Sequence, residues 1–318
     1  MNPRTRIIQF SIFFSLSSIL TGCSKPYYKE TRLLMGTFVE ITCQDKQAMN
    51  EAFLEIKKIE AIANNFNPSS EISKLNLEGG INTSPDLFLM VKESLKYFTL
   101  SNGAFDITVA PMVSVWKQKI EEAQNPTIPV SLPSSKEIQL KLSLIGSEKI
   151  SVDENTLTIA FTRAGMSIDL GAIAKGYAVD KAIARLKELG IRSCLVNAGG
   201  NMYCLGKKRN RKWRIGIRHP RNQEKILYYL DLENQAVATS GDYEQFFVLE
   251  GKRYSHIINP KTGYPVNNGI VSVTIITDNA TRADALSTAV FVLGKEKGLG
   301  LAKRMSNTDV RIIEEKDI

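Results

Sequence analysis

A chain of 318 residues with 43% apolar and 23% charged side chains is long enough to bury one large core or two intimate ones, and too apolar to be mainly disordered. Its 41 lysines and arginines against 33 aspartates and glutamates leave a formal net charge of +8, which suits anionic partners. Only two histidines and four cysteines are present, with no Cys-x-x-Cys, so a structural or catalytic zinc site is not expected.

At the N-terminus, Arg4 and Arg6 precede an apolar stretch from Ile7 to Leu20 that ends in Leu20-Thr21-Gly22-Cys23. The stretch is short for a membrane span, and small residues before a cysteine match the cleavage box of bacterial lipoproteins. Residues 1–22 therefore read as a lipoprotein signal peptide and residues 23–318 as one domain. Cys23 would be the lipidated first residue, tethering a periplasmic or extracytoplasmic protein to the lipid bilayer without a transmembrane helix. The inner membrane is the preferred location, although Ser24 is not the aspartate that commonly retains lipoproteins there. An exported chain has no use for nucleic acid, which is set aside as a partner.

Gly36–Thr42 has the pattern of a strand, Asp45–Asn65 that of a charged amphipathic helix, and Ser84–Ser101 that of a helix opened by Ser84-Pro85. Gln124–Lys136, with three prolines, reads as a surface loop. Short strands follow at Lys149–Val152, Thr156–Phe161, Ser193–Asn197, Trp213–Arg218, Ile226–Leu232, Gln235–Ser240, Phe246–Leu249 and Val271–Ile276. Several are joined by hairpin-sized turns, so the expected fold class is α+β, with antiparallel or mixed sheets and packed helices rather than a doubly wound sheet. Cys194 and Cys204 flank a Gly-Gly turn and could meet across a hairpin, but buried free thiols are the expected state. The basic run Lys207–Arg214 could meet anionic lipid, a partner or a nucleotide phosphate, or be a solvated hairpin tip.

Five segments place polar or glycine residues where a ligand could dock. Met166–Gly190 reads as a strand ending at Asp169, a small-residue corner Gly171-Ala172-Ile173-Ala174-Lys175-Gly176, and a helix turning Ala178, Ala182, Leu186 and Leu189 inward before Gly190 stops it. Such a corner can hold an anion, with Lys175 in reach of it. Asn197-Ala198-Gly199-Gly200-Asn201 and Thr239-Ser240-Gly241-Asp242-Tyr243 each end a strand. His256 stands before a Pro-Lys-Thr-Gly turn, where it is a general base or a hydrogen-bonded structural residue. Asp284 and Thr288, four residues apart, would share one helix face and suit a hard divalent cation, or else be a solvated pair.

Together these phrases resemble the FAD:protein FMN transferases, the ApbE-like flavin transferases. The resemblance runs through Met35-Gly36-Thr37, Asn67–Asn76, Gly103-Ala104-Phe105-Asp106, Asp169–Ala178, Asn197–Gly200, the Thr239 and His256 segments, and Ala283–Ala289. It implies an ApbE-like, T-fold-like architecture and an enzyme that cleaves FAD and moves FMN onto a threonine or serine of an exported or membrane-bound redox protein, releasing AMP. It further implies Mg²⁺ as cofactor, held by Asp284 and Thr288 with the backbone carbonyl of Ala172. Met35, Ala104, Phe105, Asp106, Asp169 and Lys175 match positions that contact FAD, with adenine expected near Phe105 or Tyr177, and His256 matches the histidine proposed to deprotonate the acceptor hydroxyl. Alternatives are a Mg²⁺-dependent FAD pyrophosphatase and, from another class, a lipid-anchored flavin-binding protein without turnover.

Overall fold

The computed structural model describes residues 25–318 apart from residue 126, so Cys23 and the signal segment lie outside the described residues. The first half of the chain runs β1 (Tyr28–Leu34), β2 (Thr37–Cys43), α1 (Lys46–Ala63), α2 (Glu71–Glu78), β3 (Gly80–Asn82), α3 (Pro85–Leu100), α4 (Ala110–Gln124), α5 (Ser135–Leu142), β4 (Ile150–Asp153), β5 (Thr158–Phe161) and α6 (Ala174–Glu188). The second half runs β6 (Cys194–Ala198), β7 (Asn201–Leu205), β8 (Trp213–His219), β9 (Asn222–Leu232), β10 (Gln235–Gly241), β11 (Phe246–Leu249), β12 (Lys252–Ser255), β13 (Ile270–Thr277), α7 (Ala280–Leu293), α8 (Lys295–Lys303) and β14 (Asp309–Glu314).

Seven strands form the central sheet in the order β1-β2-β6-β7-β10-β13-β14. Every neighbouring pair is antiparallel, and β1–β2 and β6–β7 are joined by short hairpin turns. Helices α1, α6 and α7 cover one face. Buried positions 48, 49, 52, 53, 56 and 59 of α1 recur at helical spacing, and Asp45 caps its start by accepting from Ala48 N at 2.9 Å. The other face is covered by the β8–β9 ribbon, whose Trp213, Ile215, Ile217 and Leu232 pack on Cys204, Val237 and Ile276. A third small core joins α4 and α5 to β11 and β12 around Trp116.

The α+β expectation holds, and the segment 124–136 lies between α4 and α5 as a connection. One local reading is borne out and two are corrected. Cys194 pairs across the sheet with Leu205 and Cys204 with Leu195, so the two sulfurs point to opposite faces; both are buried free thiols, and Cys194 stands opposite Cys43 instead. Residues before Asp169 are not a strand, because the side chain of Asn76 takes both backbone groups of Ile168, accepting from its N at 2.7 Å and donating to its O at 2.9 Å. Leu189 does not face inward with Ala178, Ala182 and Leu186; it follows the last helical residue and is 41% exposed.

Candidate functional site

Two helices and a strand turn converge at one end of the central sheet. Asp180, on α6, accepts from Ala280 N at 2.9 Å, Thr281 N at 2.8 Å and Thr281 Oγ1 at 2.6 Å, which fixes the start of α7 against α6. One turn earlier on α6, Gly176 presses on α7: a Cβ there would fall 2.3 Å from Ala280 O and 2.8 Å from Asp284 Cβ. Only glycine permits that approach. Gly176→Ala is expected to cost about 1–3 kcal/mol of stability by forcing the helices apart, measured by denaturant unfolding; an unchanged midpoint would refute the tight contact.

The close approach brings Gly176 N to Asp284 Oδ2 at 2.9 Å. The first regular bond of α6 is Tyr177 N to Ile173 O at 2.9 Å, so the Ala172 carbonyl is left without its helical donor. Asp284 is 5% exposed, and desolvation raises its carboxyl pKa against the opposing pull of Lys175, Gly176 N and the side chain of Asn201. Asn201 is itself 5% exposed, and its Oδ1 is a buried acceptor with no partner. Thr288 lies one turn along α7, its hydroxyl 3.2 Å from Ser240 Oγ on β10; Ser240 also meets Ser287 Oγ at 2.8 Å, and Ser287 donates to Asp284 O.

Among the described residues no three His, Cys, Asp or Glu side chains gather to hold a metal. Asp284 has the Asn201 side chain bonded to it, the Thr288 hydroxyl one turn along α7, and the Ala172 carbonyl four residues before the Gly176 that it holds. That all-oxygen set with a single carboxylate fits Mg²⁺, which keeps open positions for phosphate oxygens and water.

Lys175 and His256 complete the corner. Lys175 Nζ donates to Gly171 O at 2.7 Å, and Asp169 Oδ1 accepts from Gly171 N at 2.6 Å, so the small-residue corner is tied at both ends. His256 follows β12, with its N donating to Gln245 O at 2.9 Å and its Nδ1 3.2 Å from the same oxygen. A carbonyl only accepts, so Nδ1 carries the proton and Nε2 presents a free lone pair. Desolvation lowers the imidazole pKa from 6.5; Lys175 lowers it further, while the Gln245 bond and Asp169 raise it. The structure thus brings Asp169, Lys175, Asp284 and His256 into one electrostatic neighbourhood.

Met35 and Gly36, both with positive φ, form the two-residue turn between β1 and β2, and Met35 N donates to Glu60 at 2.6 Å. That turn adjoins Gly199, where a Cβ would fall 2.5 Å from Thr37 Oγ1. Asp106 is buried: it accepts from Thr108 N and Oγ1 and from Ser147 N and Oγ, and burial raises its pKa. It therefore shapes the 103–108 loop from within. Ala104 is also buried, and Phe105 is 1% exposed in the main core, edge-on to Tyr97, so its ring is not an adenine platform. Tyr177 donates its hydroxyl to Asp86. Asn201, Asn76 and Asp180 all lie within segments whose pattern points to a ligand, but none of the three carries a local signal of its own role.

The ApbE family model matches residues 35–312. The chain belongs to the ApbE family. Curated ApbE relatives named FAD:protein FMN transferase include those of Vibrio cholerae, 31% identical over 94% of this chain and 92% of theirs, and Haemophilus influenzae, 30% identical over 98% and 94%. The crystal structure of the ApbE protein of Thermotoga maritima superposes with a TM-score of 0.82 at 31% identity, covering 92% of this chain and 95% of that one. The flavin transferase ApbE of Vibrio cholerae superposes at 0.79 with 29% identity, covering 92% and 94%. The ApbE-like architecture is therefore shared along nearly the whole described chain.

Proposed function

We propose that this ApbE-family chain is a Mg²⁺-dependent FAD:protein FMN transferase. The acceptor oxygen of a threonine or serine forms a bond to the phosphorus bearing the riboflavin end, the pyrophosphate P–O bond breaks, and AMP leaves. Supporting the proposal are Asp284, held by Gly176 N and beside Asn201, with Thr288 one turn along the same helix, and the oriented His256, whose charged surroundings include Lys175. Lys175 would meet the phosphates, and Asp169, tied to Gly171, would hold the corner that receives them. Mg²⁺, when bound, neutralises the pyrophosphate and leaving-group charge. Nε2 of His256 would take the acceptor hydroxyl proton as the new ester forms. Met35 and the 104–106 loop would border the FAD, with Ala104 and Phe105 able to contribute only through main chain or buried packing.

Asn201 would position Asp284. Asn201→Ala is expected to weaken Mg²⁺ binding roughly 10–100-fold, as loss of outer-sphere partners does, read by calorimetric titration; unchanged affinity would remove it from the site. The activity is tested by incubating the chain with FAD, Mg²⁺ and an exported redox protein bearing an exposed threonine or serine, then weighing the acceptor. A gain of one FMN mass, lost with EDTA, supports transfer. Free FMN and AMP with an unmodified acceptor would favour the pyrophosphatase reading, and bound FAD unchanged after hours would favour a binding protein.

We further propose that Cys23 is the lipidated N-terminus of a protein on the extracytoplasmic face of the inner membrane. Support comes from the cleavage box in the sequence. Among the described residues no helix is long and apolar enough to cross a membrane.

A further inference from the structure

The basic run Lys207–Arg214 plays no part in the transfer site. Strand β7 leads from Asn201, beside Asp284, to Leu205 at the far end of the sheet, about 13 Å away at the usual rise per residue. There Lys208 and Arg211 close a tight turn, each donating its N–H to the other's carbonyl at 2.8 and 3.0 Å. Arg209 and Asn210 fill the turn with φ of 48° and 66°. Such a turn favours asparagine and glycine, so the arginine stands there against local preference.

Lys208, Arg209, Arg211, Lys212 and Arg214 line an open groove of about 770 Å³ floored by Tyr27 and Trp213. Neighbouring Lys29 and Lys207 are paired with Glu40 and Glu233, but among the described residues none of those five cations has a salt-bridge partner. Lys208 lies instead over the rings of Tyr27 and Trp213, 5.6 and 5.3 Å from their centroids. Tyr27 is held in the groove edge-on to Trp213 at 5.8 Å and by its hydroxyl, 2.6 Å from Ser193 Oγ. Cys23 precedes Tyr27 by four residues. Even fully extended, that link spans at most about 14 Å.

We propose that this groove is a membrane-contact surface that takes the anionic phospholipid headgroups of the bilayer in which the Cys23 lipid is inserted. The orientation it implies rests on the lipoprotein reading. Free cations beside a covalent lipid make a two-part anchor. With the groove on the bilayer, the opposite end of β7, carrying Asn201 and the transfer site, faces away from the membrane toward an acceptor.

The chain from Ser24 onward contains every described element, and the solved relatives span it, so headgroup binding is testable without the lipid. This form is sedimented with vesicles of phosphatidylcholine alone or mixed with phosphatidylglycerol. Binding is expected only on the mixed vesicles and should fall with salt. Each of Lys208→Gln, Arg209→Gln and Arg211→Gln should weaken it about fivefold, and the triple variant about 100-fold, while FMN transfer to a soluble acceptor is unchanged. Equal binding to neutral vesicles, or full binding by the folded triple variant, would overturn the proposal; the single variants serve if the triple one does not fold. The tether is decided separately by the mass of the N-terminal peptide from the membrane-extracted chain: an unmodified Cys23 would overturn the orientation without touching the vesicle result.

Discussion

Asp284→Asn is expected to lower FMN transfer on the order of 10³-fold, the scale of losing several kcal/mol of transition-state charge stabilisation. Asparagine is the informative change because Asp284 is buried and accepts from Gly176 N. The amide oxygen keeps that bond, whereas alanine would leave a buried N–H unpaired and mix a stability loss of about 1–3 kcal/mol into the result. The fold should therefore persist while the sole carboxylate among the proposed donors is gone. Mg²⁺ titration of the purified variant gives a readout independent of turnover, and affinity should drop with activity. For the parent, Mg²⁺ binding should weaken as pH falls through the raised carboxyl pKa, since the cation requires the ionised form. Undiminished Mg²⁺ binding and transfer by the variant would place the metal elsewhere.

How much of this was readable in advance follows from what each signal depends on. Caps and periodicity are local, so α1 with Asp45 and α3 with Ser84 lie within two residues of the expected helices. That Asp284 and Thr288 stand one turn apart on a single helix was likewise legible, because four residues on a helix is about one turn. Other features depend on partners distant in the chain. The apolar run before Asp169 has the pattern of a strand, yet Asn76, in another element, takes both backbone groups of Ile168. The carboxylate of Asp106 matches an FAD-contact position in sequence; in the fold it accepts four bonds from Thr108 and Ser147. Phe105 matched an FAD position by its phrase, but a phrase does not distinguish a ring aimed at a ligand from one filling the core. The partner of His256 is the main-chain oxygen of Gln245, for which residue 245 identity carries no signal at all.

That same oxygen sharpens the second large prediction. By fixing the proton on Nδ1, it leaves Nε2 of His256 as an acceptor, the form a general base needs. His256→Gln is expected to slow transfer about 10²–10⁴-fold at neutral pH, the usual range for a positioned base. The pH profile separates catalysis from support. Burial holds the folded imidazole below its ordinary 6.5, so the ring is neutral at pH 7 and transfer should decline only as pH drops through that lowered value. Stability runs with the same sign: an unfolded chain takes the proton first, near 6.5, so the native state loses stability below that pH until the folded ring is protonated too. The parent should show an acid limb in rate, and the glutamine variant should lack it along with most of the rate. If the variant instead lost only thermal stability, with turnover of its folded fraction and the acid limb both intact, His256 would be a structural residue and the acceptor proton would leave by another route.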